Sequence, residues 1–313
     1  MNERKIPKES SISSPLVVTS ALSKIDIALI KQYLELCKPK VVLLLLITAV
    51  VGMHLASPSW VSIDILLVGT LGIGLAACAA AVVNHIVDEK IDILMLRTQG
   101  RPIPQGKIDP YKAILFAVVM ATTSMLLLIV FINFLTAVLT LAGLVGYAFI
   151  YTMYLKHATP QNIVIGGLSG AIPPLLGWTA VTNSIDREAI VLVMIVFTWT
   201  PAHFWALAID RVEEYRKAKV PMLPVTHGIE FTKSYVIFYT LLLFVVSLIP
   251  YFIKMSGLFY FVCAISLGAW FVFYSIKLKF FTQEKTAIQT FFVSIYYLFY
   301  LFAALLIDHY INM

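Results

Sequence analysis

Residues 74–92 read Gly74-Leu75-Ala76-Ala77-Cys78-Ala79-Ala80-Ala81-Val82-Val83-Asn84-His85-Ile86-Val87-Asp88-Glu89-Lys90-Ile91-Asp92. They close an apolar run that begins near residue 63. A run of that length and oiliness is what a membrane-crossing helix requires. Asn84, Asp88 and Asp92 stand at its inner end with i, i+4, i+8 spacing, so on a helix all three share one face. Two carboxylates and an amide oxygen are hard ligands suited to Mg²⁺, and a Mg²⁺ held by few protein oxygens fills its shell from water and substrate phosphates. The bland alternative is a solvated helix end. Against it, Asn84 follows an uninterrupted apolar run and belongs at membrane depth, where polar groups are costly and usually functional. The stretch points to a diphosphate handled at a membrane surface.

The rest of the chain repeats the apolar pattern. Of 313 residues, 60% are hydrophobic and 13% charged, with mean hydropathy +0.90; a soluble domain carries roughly 25% charged residues. Candidate spans lie near 36–56, 63–87, 111–131, 134–155, 162–182, 189–209, 234–253, 257–277 and 287–308. Open sheets leave backbone groups unpaired in lipid, and a β-barrel needs short alternating segments that are absent here. The expected fold is therefore all-α: a polytopic membrane protein of nine transmembrane helices around a central cavity. Residues 1–33 read as a flexible cytoplasmic tail, without the apolar core of a signal peptide or the Arg-rich bias of a transit peptide. Residues 34–313 read as one transmembrane domain.

All 23 Lys and Arg except Arg187 and Lys254 fall on the side of the N-terminus in this scheme. The positive-inside rule then places the N-terminus and both acidic clusters in the cytoplasm and the C-terminus outside, in a cell inner (plasma) membrane. The +6 net charge follows from topology and calls for no nucleic-acid partner. Cys37, Cys78 and Cys263 show no CxxC spacing, which argues against a disulfide or a cysteine metal site.

The second acidic cluster, Asp210, Glu213 and Glu214, ends the sixth span as the first cluster ends the second. Four spans separate them, which suggests two related halves, each placing an acidic helix end beside a central cavity. These three residues are candidate metal ligands together with Asn84, Asp88 and Asp92; the interleaved Arg211, Arg216 and Lys217 favour an ordinary charged loop instead. Arg97 and Arg101 look like a loop fork suited to diphosphate oxygens, with topology and lipid headgroups as the alternative. Lys40 and Lys156 flank spans one and four at the same level and suit a leaving diphosphate, with snorkelling to headgroups as the alternative. His85 and His203 sit at cytoplasmic span ends; each reads either as a structural histidine or as a haem ligand or base. Tyr147, Tyr151, Trp178 and Trp205 line a cavity or serve packing.

Read together, these segments resemble the UbiA superfamily of intramembrane prenyltransferases, and within it the branch that farnesylates haem. The resemblance rests on Cys37-Lys38-Pro39-Lys40, on Asn84-x3-Asp88-x3-Asp92-x2-Met95-x-Arg97-Thr98-x2-Arg101-Pro102-x-Pro104, and on Tyr151-Thr152, Lys156 and Thr159-Pro160-Gln161-Asn162. It continues through Gly170-Ala171-Ile172-Pro173-Pro174, His203-Phe204-Trp205 and Tyr215-x5-Pro221-Met222-Leu223-Pro224. It covers roughly 36–230, and the last three spans match in hydropathy alone. In the second motif the acidic pair before Tyr215 is Glu213-Glu214, which leaves Asp210 outside it.

The resemblance implies farnesyl diphosphate as donor, haem B as acceptor, Mg²⁺ as cofactor and haem O as product. A downstream haem A synthase or terminal oxidase is the implied consumer. It assigns catalysis to Asn84, Asp88, Asp92 and Glu214, diphosphate binding to Lys40, Arg97, Arg101 and Lys156, and haem contact to His85, His203 and Tyr151. Two alternatives remain open on the residues. One is a related enzyme that prenylates an aromatic quinone precursor. The other is an ion-coupled transporter, which intramembrane carboxylates and two similar halves also suit; against it, the acids lie at one membrane face and no span is visibly broken there.

Overall fold

Pro39 decides how the first passage runs. Proline removes a backbone donor and disfavours the helical conformation of the residue before it. In the computed structural model, which describes residues 27–281 and 285–313, helix α1 (Ile27–Leu36) and helix α2 (Pro39–Leu55) meet at a 57° bend. Lys38 lies between them in the left-handed region, at φ 50° and ψ 57°. The straight span expected at 36–56 is thus broken, and residues 27–33 of the expected tail are helical. Residues 1–26 of that tail lie outside the described residues.

Helix α3 (Ile63–Val87) is followed by the short α4 (Glu89–Asp92). Asp109 opens α5 (Pro110–Phe131) by accepting from the Tyr111 and Lys112 amides, and Asn133 opens α6 (Phe134–Val145) by accepting from Thr136. Helix α6 runs directly into a π-helical segment, Gly146–Leu155, and then α7 (Lys156–Ala158). Helices α8 (Asn162–Ala171) and α9 (Pro173–Thr182) form one apolar passage interrupted at Ile172, where Pro173 and Pro174 follow. Then come α10 (Arg187–Asp210), α11 (Val212–Lys217), α12 (Leu223–Thr226), α13 (Ile229–Phe252), α14 (Leu258–Phe280) and α15 (Thr286–Ile311). No strand occurs among the described residues. Eight passages are long and apolar enough to cross a membrane, and the bent pair α1–α2 makes up to nine.

The passages close on one another. Helix α3 packs on α5, α2 on α9, α10 on α13, and α15 returns to α2 and α10. The main core joins Leu192, Ile195 and Trp199 of α10 to Tyr297, Leu301 and Phe302 of α15. Large apolar side chains such as Leu43, Val118, Val245 and Phe292 face outward, as a lipid-bathed bundle requires. Buried hydroxyls return to their own helix: Thr240 donates to the Val236 carbonyl and Thr290 to that of Thr286.

Candidate active site

The helical path continues from α3 through Asp88 into α4. The Asp88 amide donates to the Asn84 carbonyl at 3.0 Å, and the Asp92 amide to the Asp88 carbonyl at 2.8 Å. Asn84, Asp88 and Asp92 therefore keep one face, and all three are buried. Each meets a cation. Lys38 donates to Asn84 Oδ1, Lys156 Nζ lies 2.7 Å from Asp88 Oδ1, and Arg101 Nη1 lies 2.6 Å from Asp92 Oδ2. Three cations against two carboxylates leave a formal excess of positive charge, which favours an anionic ligand.

The loop after α4 is folded to deliver Arg101. Thr98 donates to the Asp92 carbonyl at 3.0 Å, and the Arg101 amide donates to the Thr98 carbonyl at 3.0 Å. Ile91 and Met95 anchor the loop in the main core, which also holds Ile209, Ala218 and Met222 beside the second acidic cluster. Arg97 is exposed. Burial raises the Tyr215 phenol above the usual range; Arg97, Arg211 and Arg101 oppose the rise and Glu214 adds to it.

In the second cluster, Arg211 bridges Asp210 at 3.0 Å and Glu214 at 3.1 Å. Glu214 Oε2 is buried with no hydrogen-bond partner among the described residues. Glu213 is exposed and pairs with Arg216. Among the described residues no three His, Cys, Asp or Glu side chains converge closely enough to hold a metal by themselves. The donors available, Asn84 Oδ1, Asp88, Asp92 and Glu214 Oε2, are hard oxygens. They fit a Mg²⁺ that takes most of its shell from water and diphosphate.

The histidines divide. His85 is buried beside Asn84, and neither ring nitrogen has a hydrogen-bond partner among the described residues. His203 is packed between Trp199 and Phe291, at 4.1 and 4.5 Å between ring centroids, and its Nδ1 is 2.7 Å from Ser294 Oγ on α15. Tyr151 stacks on Tyr147 at 5.6 Å, on the π-helical segment next to Thr152. Lys40 is exposed, and Lys38, which sequence reasoning leaves without a role, occupies the site. Thr152, which meets Asn84, and Tyr215, beside Glu214, stand in the sequence only as motif residues without a role. The sign for Lys38 is a lysine directly before the proline that breaks the helix.

The chain belongs to the UbiA prenyltransferase family, which it matches over residues 45–303. It is 58% identical over 282 residues to protoheme IX farnesyltransferase 2 of Pseudoalteromonas atlantica, covering 90% of this chain and 92% of the relative. It is 55% identical over 280 residues to protoheme IX farnesyltransferase of Legionella pneumophila, covering 90% and 95%. Among solved structures, a digeranylgeranylglyceryl phosphate synthase superposes with TM-score 0.76 at 20% identity, over 90% of this chain and 99% of that one. A UbiA homolog from Archaeoglobus fulgidus bound to GPP and Mg²⁺ superposes with TM-score 0.60 at 17% identity, over 88% and 99%. At such identities these two share the fold.

Proposed function

We propose that this chain transfers the farnesyl group of farnesyl diphosphate to a vinyl group of haem B, giving haem O and diphosphate. The observation that carries the proposal is the 58% identity, over nine-tenths of the chain, to a protoheme IX farnesyltransferase. The site's chemistry supports it. Lys38, Lys156 and Arg101 supply fixed positive charge where a diphosphate would depart with the electrons of its C–O bond. Asn84, Asp88, Asp92 and Glu214 are the residues proposed to hold Mg²⁺. When bound, that ion would neutralise charge developing on the leaving group. Arg97 and Tyr215 flank the same loop, Tyr215 as a neutral hydrogen-bond donor.

The electron-poor allylic carbon left by diphosphate must be kept from water until the vinyl π electrons form the new C–C bond; water then adds to the adjacent carbon and loses a proton. The surrounding apolar helices suit that exclusion and would carry the prenyl tail. His85, with both nitrogens free, is the histidine we assign to the haem side; His203 is committed to Ser294 and to α15. The distribution of Lys and Arg supports a site on the cytoplasmic face of the inner membrane.

The test is a haem extract from cells expressing the chain, with and without Asp88→Ala, resolved by chromatography and mass spectrometry. A haem heavier by a farnesyl group plus a hydroxyl, present only with the intact motif, is the expected result. Good expression with no such species would reject haem as acceptor and direct the assay to aromatic quinone precursors.

A further inference from the structure

The π-helical segment sets which residues face the acidic helix. In an α-helix Tyr147 and Lys156, nine residues apart, would be separated by roughly two and a half turns and point to opposite sides. The i→i+5 repeat reduces that to about two turns, so Tyr147, Thr152 and Lys156 share a side. That side meets α3: Lys156 reaches Asp88 at 2.7 Å and Thr152 meets Asn84 at 3.2 Å.

Thr152 is fully buried. Its hydroxyl has one proton, and it donates that proton to the Tyr147 carbonyl at 2.8 Å. Toward any further neighbour it can only accept. The neighbour is Asn84 Nδ2, which also donates to Asp88 Oδ2 at 2.9 Å. Both protons of the Asn84 amide nitrogen are thus directed at acceptors. Oδ1 is left facing Lys38, which has only donors to offer. An asparagine amide takes the orientation its hydrogen-bond network dictates, and here every partner dictates the same one.

We propose that Thr152 is a positioning residue: through Asn84 it holds the amide oxygen, and not the amide nitrogen, toward the Lys38 side of the site, which makes Asn84 a competent oxygen ligand. The inference rests on the metal-assisted prenyl transfer proposed above. Removing the Thr152 oxygen takes away one of the two acceptors that hold the amide nitrogen, leaving Asp88 and Lys38 to set its orientation, so the ligand oxygen is held less firmly in place.

The experiment is Mn²⁺ binding to the purified full-length protein in detergent with inorganic diphosphate present, followed by the electron paramagnetic resonance of free ion against a protein-free control. Thr152→Val is expected to weaken binding about tenfold, the lower end for losing an outer partner of a metal ligand. Thr152→Ser, which keeps the acceptor, is expected to bind as the parent does. Thr152→Ala removes the same oxygen and replaces the valine variant if that one is not monodisperse. In turnover assays the half-saturating Mg²⁺ concentration should rise in step, whereas a purely structural loss would lower the folded yield without moving it. Parent-like Mn²⁺ binding by Thr152→Val, with binding lost in Asp88→Ala, overturns the positioning role and leaves the metal reading standing. Parent-like binding by Asp88→Ala, or no binding by the parent, overturns the metal reading and the positioning role with it.

Discussion

Lys38 and Lys40 are two residues apart and differ in everything that matters to the site. Lys40 is exposed at the start of α2. Lys38, turned by its left-handed backbone, donates to Asn84. A fixed charge aimed at a departing anion in a water-poor site is worth far more than one in solvent. Lys38→Gln is therefore expected to lower kcat by about 10²–10³-fold, the scale found for losing one preorganised donor. Lys40→Gln should change it by less than about fivefold, as for exposed charges generally. Equal losses in steady-state assays of the two variants would refute the assignment of Lys38. The acidic half of this site was legible because its information is local: i, i+4, i+8 on a helix fixes a face whatever surrounds it. The cationic half depends on backbone breaks. Arg101 and Lys156 were named from their places in the sequence, but Lys38 needed the bend at Pro39 and Thr152 needed the π-helical register, which no simple periodicity announces. His203 looked equivalent to His85 in the sequence, and the difference between them is the partner each helix face meets.

At the level of helices, the apolar runs gave the passages nearly to their ends, because membrane depth demands a minimum length of apolar chain. Their breaks were less legible. Pro39 and the Pro173-Pro174 pair each interrupt a run that hydropathy reads as continuous. The contact between the two broken passages is backbone against backbone. A Cβ at Gly52 of α2 would strike the Pro174 carbonyl of α9, and a Cβ at Gly177 of α9 would strike the Ala49 carbonyl of α2. Small residues allow such approach, and backbone cannot move aside as a side chain can. Gly52→Ala and Gly177→Ala should each cost about 1–3 kcal/mol, as overpacking does. Gly170, where an added methyl would meet nothing within 4 Å, should accept Ala without loss. Thermal unfolding in detergent tells them apart, and a Gly52→Ala protein that melts with the parent would show that α2 and α9 can separate freely.

For the whole molecule the two ends are chemically distinct. One end gathers Lys38, Arg101, Lys156 and both acidic clusters. At the other, the last helix is fastened to the first passage: His54 Nδ1 is 2.6 Å from the Tyr310 hydroxyl, and His309 Nε2 is 3.1 Å from the Ser57 carbonyl. The C-terminus therefore lies at the end opposite the site, and whichever face one occupies, the other is excluded from it. Among the described residues, Arg187 and Lys254 are the Lys and Arg away from the site-bearing side, and by the positive-inside rule the proposed location of that side is the cytoplasm. Alkaline phosphatase folds to activity only after export to an oxidising compartment. Fused after Met313 it should be active, and fused after Lys217, on the site side, it should be inactive. The reverse pair would turn the site to the outer face. Two active fusions would mean that the passage from α13 to α15 crosses the membrane an even number of times, against the three long apolar helices found there.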